Sequence, residues 1–231
     1  MEQKQKELYH AHAQRLALML QNQTEEEFAD SRFQVLSELT RLRQLCCDPA
    51  LVYENYEGGS AKLDLCIELI QSAVESGHKI LLFSQFTSMI EILTARLQEE
   101  SISCFVLQGS TKKEQRAQMV EQFNRDDTSV FCISLKAGGT GLNLTGADIV
   151  IHYDPWWNVA VENQATDRAH RIGQKNVVTV YKLIAKGTIE EKIIKLQQMK
   201  KELAEEILSG DGIKTASFQR EELLELLEER F

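Results

Sequence analysis

The chain has 231 residues, of which 43% are hydrophobic and 26% are charged, and 26 Lys and Arg are outnumbered by 35 Asp and Glu. This apolar content excludes a wholly disordered chain, while the longest uninterrupted apolar run, residues 16–20, is far too short to cross a membrane. The net charge of −9 argues against a broadly basic nucleic-acid-binding face, and five cysteines without a C-x-x-C pair favour reduced thiols over a disulfide framework or a zinc cage.

Two helices are predicted at the N-terminal end. Residues 1–22 and 25–47 carry apolar side chains at helical spacing. Thr24, with Glu27 three residues later, predicts a capping box at the start of the second helix. The loop at 53–60, which contains adjacent glycines, is the best candidate for a domain boundary.

From residue 61 onward, short apolar runs alternate with helical patterns. Five runs predict strands, at 79–84, 103–107, 129–134, 148–153 and 177–184. Helices are predicted at 61–76, 87–100, 112–124, 159–171, 188–208 and 219–230. Continuous apolar strands separated by helices indicate an α/β fold, in which a buried parallel sheet of at least five strands is flanked by helices.

Four polar or glycine-rich segments follow predicted strands, namely FSQFT at 83–87, QGST at 108–111, SLKAGGTGLNL at 134–144 and YDPWWN at 153–158. Because the carboxyl ends of parallel strands meet at one edge of the sheet, these segments predict a shared binding edge. Gly138, Gly139 and Gly141 would let backbone N–H groups approach an anion. The chain has no Gly-Lys-Ser/Thr, so this is not a phosphate-binding P-loop, and a purely structural turn is the competing interpretation.

The segment QATDRAHRIGQ, at 164–174, adds two cations to this edge. Arg168 and Arg171 are three residues apart and would share one face of the predicted helix. Paired guanidiniums suit phosphate oxygens, although a solvated helix face is equally compatible with this spacing.

Trp156 and Trp157 cannot both be core residues, so one is available to stack on a base or ribose. The alternative is that the indole only packs between the sheet and a helix. The sequence has no metal-binding or nucleophile motif, which favours a site that completes a partner's active site.

In this order and spacing, the segments closely resemble motifs of the SWI/SNF-family ATPases, which are DNA translocases of helicase superfamily two. SLKAGGTGLNL, DPWWN and QATDRAHRIGQ are similar to motifs V and VI, and FSQFT is similar to motif IV. LRQLCCDPAL, at 42–51, resembles the segment that leads into the family's second lobe. Val159 departs from the family, which commonly has proline there.

The resemblance covers about residues 36–208 and implies a RecA-like fold. It predicts three segments. Residues 1–60 would be a helical extension leading into the second lobe, residues 61–186 the C-terminal RecA-like helicase lobe, and residues 187–231 a brace helix with an acidic helical tail.

The resemblance also implies roles for individual residues. Arg168 and Arg171 would be arginine fingers that reach ATP, and Gln164 would help to sense its γ-phosphate. The implied ATP-binding residues are Gly138, Gly139, Gly141 and Asn143. The implied contacts to DNA are Ser84, Gln85, Ser110, Thr111, Lys136 and Trp157. ATP with Mg²⁺ would be held mainly by an N-terminal lobe that this sequence lacks, and no metal ligand is implied in this chain.

We therefore expect this chain to be the C-terminal lobe of a DNA-dependent ATPase. The lobe in isolation is expected to be inactive. Its expected partners are the N-terminal lobe, double-stranded DNA and other proteins such as chromatin components or RNA polymerase, with no membrane. Two alternatives are a stand-alone nucleic-acid or protein-binding module and a complete small nucleotide-using enzyme. The charge of −9 speaks against DNA binding by this chain alone, and the absent P-loop against the complete enzyme. The expected location is the cytoplasm in a bacterium or archaeon and the nucleus in a eukaryote.

Overall fold

The structure, a computed structural model, describes residues 1–135, 137, 141–171, 173–174, 176–207 and 224. The chain divides into two compact units, one formed by Met1–Ser60 with Ala185–Phe231 and the other by Ala61–Ile184. The division into three segments made from the sequence stays a prediction. Apart from Leu224, the predicted helix at 219–230 lies outside the described residues. None of the described helices is long and apolar enough to span a membrane.

The secondary-structure elements follow the predicted order. The helices are α1 (Gln3–Gln21), α2 (Glu25–Cys47), α3 (Ala61–Glu75), α4 (Thr87–Glu99), α5 (Lys113–Arg125), α6 (Val159–Thr166) and α7 (Ile189–Ile207). The strands are β1 (Ile80–Ser84), β2 (Cys104–Leu107), β3 (Val130–Ser134), β4 (Ile149–His152) and β5 (Thr179–Lys182). A single turn of 3₁₀-helix, Pro49–Leu51, follows α2.

The first unit is helical, and its hydrogen bonds explain how its helices begin and meet. The predicted capping box is confirmed, because the Thr24 hydroxyl accepts from the Glu27 N–H while the Glu27 carboxylate accepts from the Thr24 N–H at 2.8 Å. The Gln5 amide donates to the Leu45 carbonyl at 2.8 Å and ties α1 to α2. The Tyr9 hydroxyl accepts from the Ile189 N–H at 2.7 Å, which ties α1 to the start of α7.

The second unit is an α/β fold with one parallel sheet in the order β2-β3-β1-β4-β5. All residues of β1, β3 and β4 are buried, as expected for parallel strands between helical layers. Phe83, Phe123 and Phe131 lie in its main apolar core. The predicted fold class is thereby confirmed for the described residues.

The strand β5 is an exception to the predicted burial. All four of its residues are exposed, and Val180 and Tyr181 retain 40% and 37% of their accessible surface. The strand pairs with β4 at the end of the sheet order, so its apolar composition reflects strand propensity rather than a buried position.

The helix predicted at 159–171 is too long. It begins as expected, with the Asn158 side chain accepting from the Ala160 N–H at 2.9 Å, but it ends at Thr166. The Arg168 carbonyl would accept a helical hydrogen bond if the helix continued, and instead it accepts from the Leu144 N–H at 3.0 Å. At the end of the helix the chain tightens, with the Arg168 N–H donating to the Ala165 carbonyl and the Ala169 N–H to the Thr166 carbonyl, which periodicity alone does not predict.

Candidate functional site

The polar segments do gather at the carboxyl edge of the sheet. The parallel register places Ser84 of β1 opposite Ser134 of β3, and His152 of β4 lies between Phe83 and Lys182. The segments that follow these strands consequently leave the sheet on the same side. Of the residues predicted to act there, Lys136, Gly138 and Gly139 lie outside the described residues.

A buried carboxylate, Asp154, organises the segment after β1. Its Oδ1 accepts from the Ser84 hydroxyl at 2.5 Å, and both of its oxygens lie 3.3 Å from the Gln85 N–H. Ser84 is fully buried, and its hydroxyl also accepts from the Phe86 N–H at 3.2 Å. The Gln85 side chain is about nine-tenths buried, and its Nε2 has no hydrogen-bond partner in the described part of the chain. Ser84 and Gln85 are therefore held by Asp154, and their contact with DNA stays a prediction.

The segment after β2 is closed by an arginine that the sequence analysis did not single out. Arg116 donates to the carbonyls of Thr111 at 2.8 Å, Gly109 at 2.9 Å and Gln108 at 3.2 Å. The Thr111 hydroxyl accepts from the Gln108 N–H, whereas Ser110 is exposed. The turn is thus pre-shaped from α5, with Ser110 free to face solvent or a ligand.

An asparagine on α5 holds the glycine-rich segment after β3. The Asn124 side chain donates to the Asn143 carbonyl at 2.8 Å and accepts from the Gly146 N–H at 2.9 Å. The Asn143 side chain, predicted to contact ATP, is exposed. A Cβ on Gly146 would lie 3.1 Å from the Asn124 Cα, so a side chain there would press on the backbone of α5.

We expect Gly146→Ala to destabilise the chain by about 1–3 kcal/mol, because backbone atoms must move apart to admit the methyl group. Gly109→Ala is the matched control, since a Cβ at Gly109 meets nothing within 4 Å. Urea unfolding of the two variants compares them. Equal free energies of unfolding for the two variants would show that the glycine-rich segment and α5 can move apart without loss of stability.

The same segment is joined to the one that carries the arginines. The Gln174 amide donates to the carbonyls of Ala147 at 2.7 Å, Ala169 at 3.2 Å and Thr145 at 3.3 Å. One side chain therefore fixes two segments that are more than 20 residues apart in sequence. Sequence patterns gave no sign of this role.

The two arginines follow α6 and do not share a helical face, so that prediction is wrong. Arg171 is exposed, and its guanidinium donates to the carbonyls of Asp167 at 3.2 Å and Gly141 at 3.1 Å. Arg168 is only 2% exposed, and its Nε has no hydrogen-bond partner among the described residues. Burial, followed by the charge of Arg171, lowers the pKa of Arg168. Gln164, predicted to sense a phosphate, is exposed on α6.

A buried carboxylate paired with an exposed lysine holds the backbone at Trp156. Glu162 is 1% exposed, and its Oε1 accepts from the Trp156 N–H at 2.6 Å while its Oε2 lies 2.5 Å from the Lys182 Nζ. Trp156 packs against the apolar core of the second unit. Both indoles are half-buried, in agreement with the prediction that they are not both core residues.

His152 is a structural residue of this region. Its Nε2 lies 3.0 Å from the Thr166 hydroxyl, and its ring stacks on Phe83 with 5.5 Å between centroids. Burial lowers the pKa of His152 to about 4, so the imidazole is neutral near pH 7.

This burial predicts a specific pH dependence of stability. The folded chain binds the His152 proton more weakly than the unfolded chain, so the stabilisation is complete above about pH 6.5 and is lost as the pH falls toward 4. The expected loss is about 3 kcal/mol. His152→Gln should flatten the free energy of unfolding across this interval, whereas His170→Gln, at an exposed position, should not. If the free energy of unfolding of His152→Gln varied with pH in the same way as that of the unmodified chain, the expectation would be contradicted.

No three metal-ligating side chains are grouped in the described ranges so that they could hold a metal ion. The described part of the edge offers guanidinium groups, hydroxyls and amides, and its carboxylates Asp154 and Glu162 are hydrogen-bonded within the fold. Such a surface suits an anion with several oxygens.

Comparison with known proteins places this arrangement in a family. The model of the helicase conserved C-terminal domain matches residues 61–173. An uncharacterized ATP-dependent helicase of Mycoplasma pneumoniae is 45% identical over 202 residues, which cover 86% of this chain and 19% of the relative. The putative ATP-dependent helicase/translocase YwqA of Bacillus subtilis is 44% identical over 77% of this chain and 20% of its own length. The chain spans about a fifth of the length of these relatives.

Solved structures agree. The C-terminal domain of the Sulfolobus solfataricus SWI2/SNF2 ATPase has a TM-score of 0.73 and 32% identity, covering 90% of this chain and 85% of that domain. The core of that ATPase in complex with dsDNA gives a TM-score of 0.76 and 33% identity, with 90% of this chain and 44% of that one covered. Sequence, fold and motif order therefore agree that the chain belongs to the SWI2/SNF2 ATPase family, in which it corresponds to the C-terminal, RecA-like domain.

Proposed function

We propose that this chain is the second lobe of a DNA-dependent ATPase that moves along duplex DNA, and that it presents Arg168 and Arg171 to ATP held by an N-terminal lobe. One observation carries the proposal. The Arg168 guanidinium is buried beside Arg171, and its Nε has no partner among the described residues. A buried guanidinium donor without a hydrogen-bond acceptor is unfavourable, and a phosphate oxygen is an acceptor of suitable geometry.

The described residues fit the phosphates of ATP better than they fit Mg²⁺. Arg168 offers an unpartnered donor, and Arg171 is exposed and already oriented by two carbonyls. The edge carboxylate Asp154 is bonded to Ser84 and to the Gln85 N–H. We therefore assign Mg²⁺ to the N-terminal lobe. ATP, when bound, supplies the bond whose hydrolysis drives the cycle.

The proposed mechanism depends on the contacts that the two arginines make with phosphate. Their charge–charge contacts with phosphate exist only when the lobes are closed, so ATP favours closure and loss of the γ-phosphate favours opening. Arg171 also donates to the Gly141 carbonyl, so the arginine segment and the glycine-rich segment respond to the nucleotide together. Gln164, Asn143 and the glycines at 138, 139 and 141 complete the proposed nucleotide-facing surface.

The proposed DNA contacts lie along the same edge. Arg116 fixes the turn that contains Ser110 and Thr111. Trp157 is half-buried and follows Trp156, which packs against the apolar core. Hydroxyls and backbone groups of such turns bind phosphates, and an indole can lie against a base or sugar. Ser84, Gln85 and Lys136 belong to the same proposed surface. The related Sulfolobus solfataricus ATPase core is known in complex with dsDNA, which supports DNA binding as the role of this lobe.

The test is steady-state ATP hydrolysis by this chain alone, by the N-terminal lobe alone and by their mixture, each with and without duplex DNA. We expect turnover only in the mixture and stimulation by DNA. Robust hydrolysis by the 231-residue chain alone would overturn the proposal, because it would require a complete site within this chain.

A further inference from the structure

A carboxylate almost out of contact with solvent lies in the first turn of α6. Glu162 is 1% exposed, and its two oxygens point to different elements. Oε1 accepts from the Trp156 N–H at 2.6 Å, in the loop after β4, and Oε2 lies 2.5 Å from the Nζ of Lys182 on β5. One side chain thereby links a loop, a helix and a strand.

The bond to Trp156 bears on the residue that follows it. Trp156 packs against the apolar core, and its backbone N–H donates to the Glu162 carboxylate, so both its ring and its backbone are fixed. The direction in which the chain continues into Trp157 is therefore set as well. Lys182 supplies the counter-charge that makes a buried carboxylate tolerable.

We propose that Glu162, held in place by Lys182, is a positioning residue for Trp157. The ion pair confines the loop so that the Trp157 indole keeps one orientation. The purpose of that orientation, contact with DNA, rests on the function proposed above, whereas the positioning is a property of this chain alone. Without the ion pair, the loop would have to be ordered when DNA binds, and this ordering cost would weaken DNA binding.

The first experiment follows Trp157 by fluorescence. The chain has two tryptophans, so Trp156→Phe leaves Trp157 as its sole tryptophan and serves as the reference. In this background, Glu162→Gln and Lys182→Met should each lower the fluorescence anisotropy of Trp157 and increase its quenching by acrylamide. Circular dichroism verifies that each variant is folded.

Two further variants separate positioning from a general effect of removing charge. Glu121→Gln, which removes the exposed ion pair of Glu121 with Arg125 on α5, should leave Trp157 unchanged. Combining Glu162→Gln with Lys182→Met removes the ion pair without leaving an unpaired charge, so Trp157 should be as mobile as in the single variants; return of the reference behaviour would mean that an unpaired charge, and not loss of the ion pair, mobilises Trp157.

Unchanged anisotropy and quenching in both folded single variants would overturn the proposal. If Glu162→Gln does not fold, Lys182→Met and the double variant decide by the same criteria. A merely structural role would lower the thermal stability without changing the mobility of Trp157 in the folded chain.

A titration with a short DNA duplex at low salt separates this inference from the proposed function. We expect the Trp157 emission to respond to DNA and Glu162→Gln to bind about tenfold more weakly than the reference. If DNA does not change the emission of any variant, the proposed DNA contact fails, while the measurements without DNA still decide the positioning. A normal DNA response with equal affinities would overturn the role of Glu162 in DNA binding.

Discussion

Replacing Arg171 with alanine is expected to lower DNA-stimulated ATP turnover by about 10³-fold or more, while the lobe stays folded. Arg171 is exposed, so its removal leaves no cavity, and its guanidinium is oriented by the Asp167 and Gly141 carbonyls. In the proposed mechanism, this guanidinium stabilises the charge that develops on the transferred phosphoryl group. The measurement is steady-state turnover of the mixture of the two lobes.

Two controls accompany this variant. Arg171→Lys keeps the charge but loses the planar fork, and we expect it to recover only a small part of the activity. Arg125→Ala removes an exposed arginine from α5, whose partner is Glu121, and should leave turnover unchanged. Turnover of Arg171→Ala within a few-fold of the unmodified protein would refute the arginine-finger assignment.

Replacing Asp154 with alanine is expected to have the largest effect on stability. The change leaves the Ser84 hydroxyl without its acceptor and the Gln85 N–H without its carboxylate, both in the buried interior. Each unsatisfied buried group costs about 1–3 kcal/mol, so we expect a loss of about 3 kcal/mol or more. The measurement is the free energy of unfolding in urea at neutral pH.

Asp154→Asn tests the cause of this loss. The amide keeps one acceptor oxygen for the Ser84 hydroxyl, so this variant should fall between alanine and the unmodified chain. Asp127→Ala, at an exposed position after α5, is the matched control and should change stability little. A loss in Asp154→Ala no greater than in Asp127→Ala would mean that the network around Ser84 adds nothing to the fold.

The elements that periodicity predicts well are those stabilised by local rules or by complete burial. The capping box at Thr24 and the buried strands β1, β3 and β4 are cases of this kind. The end of α6 is not, and just beyond it the carbonyl of Arg168 accepts from the N–H of Leu144, more than 20 residues away. No window of local sequence contains that contact.

In the candidate site, too, some features follow from the sequence pattern and others depend on contacts between distant residues. Strand order predicts that the four segments meet at one edge, because that conclusion needs only parallel connectivity. The residues that hold those segments were missed, namely Asn124, Arg116, Asp154, Glu162 and Gln174. All are polar residues of common types, and what distinguishes them is a partner that is mostly distant in the sequence.

The early end of α6 has a consequence for local opening of the chain. The carbonyl of Arg168 and the guanidinium of Arg171 are bonded to Leu144 and Gly141, so neither segment can leave its place without breaking bonds to the other. Amide hydrogens in the two segments should therefore exchange with solvent as one cooperative unit, at a common opening free energy. A nucleotide that protects one segment from exchange would slow exchange in the other by the same factor, without any change in α6, which lies between them in the sequence.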